Sequence, residues 1–196
     1  MQGSGQPISA ALSNLACVRG GRMLFKGLSL SLSAGDAALV TGPNGVGKSS
    51  LLRLIAGLLD PYVGTVALMG RAALADQELA LDARLPLAKA LHFWAGLDGG
   101  DVGSALAAVA MDHLAAVPVR ILSTGQRKRA VLARTIASGA DIWLLDEPGN
   151  GLDAASLDRL NRVMAAHRAK GGIIIAASHQ PLDLPGAVVV AIETLK

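Results

Sequence analysis

Three short, uninterrupted apolar runs, Ala37 to Thr41, Ile142 to Leu145 and Ile173 to Ala177, constrain the fold more than any other feature of the chain. A strand with one solvated face alternates polar and apolar residues, whereas a strand covered on both faces does not. These runs are therefore expected to be parallel strands with helices on both sides. Parallel neighbours need crossover connections, and helical periodicity is found between them. Leu51, Leu54, Ile55 and Leu58 share a face after the first run, and Leu157, Leu160, Met164 and His167 share one between the second and third. The fold class is α/β.

A second pattern precedes this core. Leu28, Leu30 and Leu32 alternate with Ser29, Ser31 and Ser33, as in a half-buried strand at the rim of a sheet. Ile8 to Val18 and Val63 to Met69 are expected as its antiparallel neighbours, with turns at Gly20-Gly21 and Pro61 to Gly64. The architecture predicted is a mixed sheet core with an N-terminal antiparallel β subdomain. Residues 72–114 turn helical and irregular, with breaks at Pro86 and at Asp98 to Asp101, and read as a helical subdomain inserted to meet a partner. At 196 residues the chain is expected to form one domain, 1–196.

Composition removes several classes of function. The apolar fraction of 52% invites a membrane reading, but no apolar stretch approaches the roughly 20 residues of a bilayer span. No direct membrane span is expected. The first fifteen residues have no Lys or Arg and no sustained apolar block, unlike a secretory signal, so a cytoplasmic location is expected. Cys17, the single cysteine, excludes an intrachain disulfide and a cysteine-cluster zinc site. The formal charge of +3 comes from scattered Lys and Arg with two Trp, two Phe and one Tyr, which argues against nucleic-acid binding.

The loop after the first run is Gly42-Pro43-Asn44-Gly45-Val46-Gly47-Lys48-Ser49, followed by Ser50, and it fits G-x-x-x-x-G-K-[ST] between a buried strand and a helix. An ordinary glycine-rich turn would not need that setting. Glycines let backbone N–H groups wrap a β-phosphate, the helix N-terminus adds positive potential, Lys48 reaches β- and γ-oxygens, and Ser49 is suited to Mg²⁺. Asp146 and Glu147 directly follow the second run, where open α/β sheets hold ligand groups. Asp146 is expected to hold Mg²⁺ through its water shell and Glu147 to polarise the water that attacks ATP. Ser123 is a good helix N-cap, and the turn after it is a second anion site without its own lysine.

Leu122-Ser123-Thr124-Gly125-Gln126, some twenty residues before the Asp-Glu pair, resembles the signature of ABC ATPases. The resemblance implies a head-to-tail homodimer in which each signature, Ser123 to Gln126, closes over ATP on the partner's lysine loop. It also implies integral membrane transporter subunits as partners. Gln77 stands where the family has a glutamine that senses Mg²⁺ and relays to those subunits. Asp153, in Gly151-Leu152-Asp153, stands in the loop that crosses between the two ATP sites. His179 follows the third apolar run and matches the family's switch histidine, expected to contact the γ-phosphate or to hold water and Glu147 in register. His92, His113 and His167 follow no core strand. Arg19 stands in place of the aromatic that stacks on adenine and could stack through its guanidinium. Thr124 stands where Gly or Ala is usual, so its side chain must fit beside the partner's γ-phosphate.

Val117-Pro118-Val119-Arg120 before the signature, Ser178-His179-Gln180-Pro181-Leu182 and the shortness of the chain are similar to the haem-exporter ATPases of bacterial cytochrome c maturation. That resemblance implies a haem-export or haem-release role at the cytoplasmic face of the inner membrane. Three other readings stay open. They are the ATPase of another small ABC exporter or importer, a soluble ABC protein acting on nucleic acid or translation, and a nucleotide-binding module with little hydrolysis.

Overall fold

The computed structural model describes residues 7–193, so the expected domain 1–196 extends beyond the described residues at both ends. In chain order the elements are β1 (Ser9–Arg19), β2 (Arg22–Ser33), β3 (Ala37–Thr41), α1 (Lys48–Ile55), β4 (Val63–Met69), β5 (Ala72–Ala75), α2 (Leu87–Asp98), α3 (Val102–Ala108), two single 3₁₀ turns, α4 (Thr124–Ala137), β6 (Ile142–Asp146), α5 (Ala154–Ala169), β7 (Ile173–Ala177) and β8 (Val188–Ala191).

Antiparallel and parallel pairing both occur, but in two sheets. The first has the order β2-β1-β4 and is antiparallel throughout. The alternating Leu28 to Ser33 segment lies on its rim, as expected. Its neighbour is β1 alone, because the more buried β1 takes the centre and pairs with β4 on its other side. The second sheet is parallel, in the order β5-β6-β7-β3-β8, and all three continuous apolar runs lie inside it.

Two expectations are corrected. Residues 72–75 are not the start of the helical region. They form β5, pairing in parallel with β6 from Ala72↔Ile142 to Ala75↔Leu145, and the helices begin at Leu87 directly after Pro86. Leu58 does not share the face of α1: the helix stops at Ala56, Gly57 takes φ +71, and Leu58 is 63% exposed. Leu52 joins Leu51, Leu54 and Ile55 in the core instead, each contributing roughly 1.5–3 kcal/mol by burial.

The parallel sheet separates two apolar cores. Below it, α1 packs with the antiparallel sheet against Ala38, Val40, Leu144 and Ile175. Above it, α2, α3, α4 and α5 pack against Leu145, Ile174 and Ala176. On α5, Leu160 and Met164 are buried, and His167 stacks on Trp143 with ring centroids 3.8 Å apart.

Candidate nucleotide site

The C-terminal ends of β3, β6 and β7 meet along one edge of the parallel sheet, and the polar residues expected to do chemistry leave from those ends. Gly42 opens the loop after β3 with φ +142. A Cβ there would lie 2.4 Å from the Ile192 carbonyl oxygen, so both the backbone angle and the close passage of the chain after β8 require glycine. The loop delivers Lys48 to the first turn of α1, where its side chain is buried. Its Nζ donates to the carbonyls of Gly42 at 2.8 Å and Pro43 at 3.2 Å. A buried ammonium needs such acceptors, and phosphate oxygens entering the loop would compete for them with the advantage of charge.

Asp146 ends β6 half-buried, close to the Ser49 side chain. Burial raises its carboxyl above the usual carboxylate range, the Ser49 hydroxyl opposes that rise, and the neighbouring Glu147 adds to it. A cation between Ser49 and Asp146 would therefore relieve a carboxylate made costly by burial. Serine and aspartate oxygens are hard donors of the kind Mg²⁺ takes, so the residues present fit that ion.

Glu147 has φ +51, a left-handed conformation uncommon outside glycine. Its N–H donates to Ala177 O at 2.8 Å and its carbonyl accepts from Asn150 N at 3.1 Å, which fixes the turn against the end of β7. The carboxylate is aimed by the other strand. Oε2 lies 2.7 Å from His179 Nδ1 and accepts from the His179 backbone N–H at 3.3 Å. A carboxylate only accepts, so the ring contact needs the proton on Nδ1.

Leu24, Asn44, Gly45, Gly47, Lys48, Ser49, Ser50, Gln77, Glu147, Asn150 and His179 line one open cavity of about 390 Å³. Lys48, Ser49, Glu147 and His179 are thus gathered, Gln77 with them from the segment after β5, whereas Asp146 lines a neighbouring cavity instead. Arg19 does not line this cavity; it lies on the exposed end of β1 opposite Arg22, and Leu24 forms that wall. Leu24 carries no signal in sequence, because tertiary packing alone brings it there, while Asn150 arrives on the turn that follows Glu147.

The signature is elsewhere. None of Ser123, Thr124, Gly125 and Gln126 lines the cavity with Lys48. Ser123 caps α4, its Oγ accepting from Gln126 N at 3.3 Å while Gln126 Oε1 accepts from Ser123 N at 2.8 Å, a reciprocal capping box. Thr124 faces a second cavity of about 610 Å³, which also touches Gln77, Glu147 and Asn150. Asp153 caps α5, accepting from Ser156 N at 2.8 Å.

A lysine loop between strand and helix, two acids at the end of a neighbouring strand and a separately capped signature helix define an ATP-binding domain of the ABC type. The family model for ABC transporters matches residues 25–150, and the chain belongs to that family, as an ATP-hydrolysing subunit. Within it the chain belongs with proteins named cytochrome c biogenesis ATP-binding export protein CcmA. The relative from Zymomonas mobilis is 56% identical over 93% of this chain and 84% of its own length. Those from Sphingopyxis alaskensis and Novosphingobium aromaticivorans are 55% and 50% identical, over 89% and 97% of this chain and 92% and 99% of their own lengths. Among solved structures, an ABC transporter ATP-binding protein from Pyrococcus furiosus superposes with a TM-score of 0.81 at 22% identity, over 94% of this chain and 97% of that one. The ATP-binding cassette of another ABC transporter, in its ADP conformation, gives 0.75 at 18% identity, over 96% and 89%. These two likenesses bear on the fold alone. No helix among the described residues is long and apolar enough to cross a membrane.

Proposed function

We propose that this chain powers haem export or release for cytochrome c biogenesis, working as a homodimer on integral membrane subunits at the cytoplasmic face of the bacterial inner membrane. The 2.7 Å contact between Glu147 and His179 beside Lys48 carries the catalytic part of this reading. The relatives' names carry the biological part.

In the proposed reaction, water attacks the γ-phosphorus of ATP, the bond to the β–γ bridging oxygen breaks, and the proton from water passes to Glu147. His179 holds that carboxylate in place. Lys48 transfers its hydrogen bonds from the Gly42 and Pro43 carbonyls to phosphate oxygens, and the backbone of Asn44 to Gly47 wraps the β-phosphate. Ser49 and Asp146 would hold Mg²⁺, with Gln77 reaching it from the opposite wall. When bound, the ion neutralises charge on the phosphates.

The position of the signature supports pairing. Ser123 to Gln126 stay outside the Lys48 cavity, and a second copy would bring its signature to the γ-phosphate. Asp153, on the loop before α5, would lie between the two sites.

The test is complementation in Zymomonas mobilis lacking its own relative, read by haem staining of c-type cytochromes. The wild-type chain should restore them and Glu147→Gln should not. A wild-type chain that accumulates to the relative's level and restores none overturns the export reading.

A further inference from the structure

Gln77 reaches the Lys48 cavity from a segment held at one end by Arg134 of α4, the helix that starts at the signature, and at the other by Trp94 of α2. Arg134, in the third turn of α4, is 7% exposed, and its Nη2 donates to Leu74 O at 2.7 Å, just before Gln77. The same guanidinium lies over the Trp94 ring of α2, 4.9 Å from its centroid. Trp94 Nε1 in turn donates to Ala80 O at 3.1 Å, just after Gln77. Ala80 has φ +48, so this grip fixes a backbone conformation the chain does not otherwise favour. Between the two ends, Asp76 Oδ1 accepts from Glu78 N at 3.0 Å and closes a turn over Gln77.

A competing grip comes from the lysine-loop side, where Arg53 of α1 pairs with Asp76 Oδ2 at 3.5 Å. Arg53 is 44% exposed there, and a pair so open to water is weak. The Arg134 bond is shorter and more sheltered from water, where hydrogen bonds are stronger. The segment is therefore tied more firmly to α4 than to α1.

We propose that Arg134 and Trp94 are positioning residues for Gln77, tying its segment to the signature helix so that movement of α4 is delivered to the cavity holding Lys48. This rests on the reading of Gln77 as a contact of the bound nucleotide and its ion. Each subunit's signature, engaged with the partner's ATP, thereby sets the state of its own site.

A double-mutant cycle on the purified full chain tests it, with kcat, KM and melting temperature measured for Gln77→Ala, Trp94→Phe, Arg134→Lys and the doubles. Trp94→Phe keeps a ring for Arg134 and loses only the indole N–H; its kcat should fall about fivefold with KM within about twofold of wild type. Adding Trp94→Phe to Gln77→Ala should lower kcat no further. If the two losses multiply, the latch acts elsewhere and the proposal is overturned. If Gln77→Ala keeps full kcat, the reading of Gln77 fails, and the latch with it. Should Arg134→Lys fail to fold, the Trp94→Phe cycle decides alone.

Discussion

Replacing His179 by alanine isolates what the imidazole does for Glu147. The ring contact to Oε2 is 2.7 Å, while the backbone N–H of residue 179 still reaches the same oxygen at 3.3 Å in any variant. One of two anchors is lost, not both. A hydrogen bond to a charged group contributes about 1.5–3 kcal/mol, and partial exposure of the pair, 48% for His179 and 17% for Glu147, puts this one at the low end. About 1.5 kcal/mol corresponds to roughly a tenfold fall in kcat. In the proposed reaction the nucleotide is gripped by Lys48 and the loop, so KM and equilibrium ATP binding should stay within about twofold. Steady-state phosphate release with a separate nucleotide titration gives both numbers. Unchanged kcat, or a loss appearing in KM alone, would refute the view that His179 acts by aiming Glu147.

Two further outcomes follow from the geometry. Gly42→Ala meets a backbone carbonyl at 2.4 Å and a φ of +142, so it should destabilise the fold by about 2 kcal/mol or more, lower Tm by roughly 4–8 °C and abolish ATP binding. Differential scanning calorimetry and an ATP titration check this. Burial pushes His167 below its ordinary value, so the folded chain favours the neutral ring stacked on Trp143. Its contribution is present above the unfolded value of about 6.5 and is lost as pH falls below it, down to the folded value. The Tm should drop between pH 7.5 and 5.5, and His167→Phe, which keeps the stack without titrating, should flatten that drop. An equally steep drop in the variant would assign it to other groups.

What was legible in the sequence was local. The three apolar runs announce β3, β6 and β7 because burial on both faces leaves no other composition, and the loop between β3 and α1 is a contiguous motif. Ser123 reads as an N-cap from its residue type, and the structure adds the reciprocal bonds with Gln126. What escaped was set by packing across the chain. Four residues, Ala-Ala-Leu-Ala, are too short and too small to show a period, so β5 exists only through its pairing with β6. Val188 to Ala191 likewise becomes β8 only beside β3. Leu24 joins the cavity from a strand with no chemical signature of its own, and the grip of Arg134 and Trp94 on the Gln77 segment spans sixty positions from Leu74 to Arg134.

The claim on which the functional reading turns is that each ATP is held by the lysine loop of one copy and the signature of the other. Mixing two inactive variants addresses it directly. Lys48→Ala keeps a sound signature and Ser123→Arg keeps a sound lysine loop; losing the Ser123 cap costs about 1 kcal/mol, which leaves the chain folded. A mixed pair holds one intact site, so an equimolar mixture should recover about a quarter of wild-type ATP hydrolysis, while each variant alone has almost none. No recovery on mixing, or full turnover by Ser123→Arg alone, would contradict a site shared between two copies.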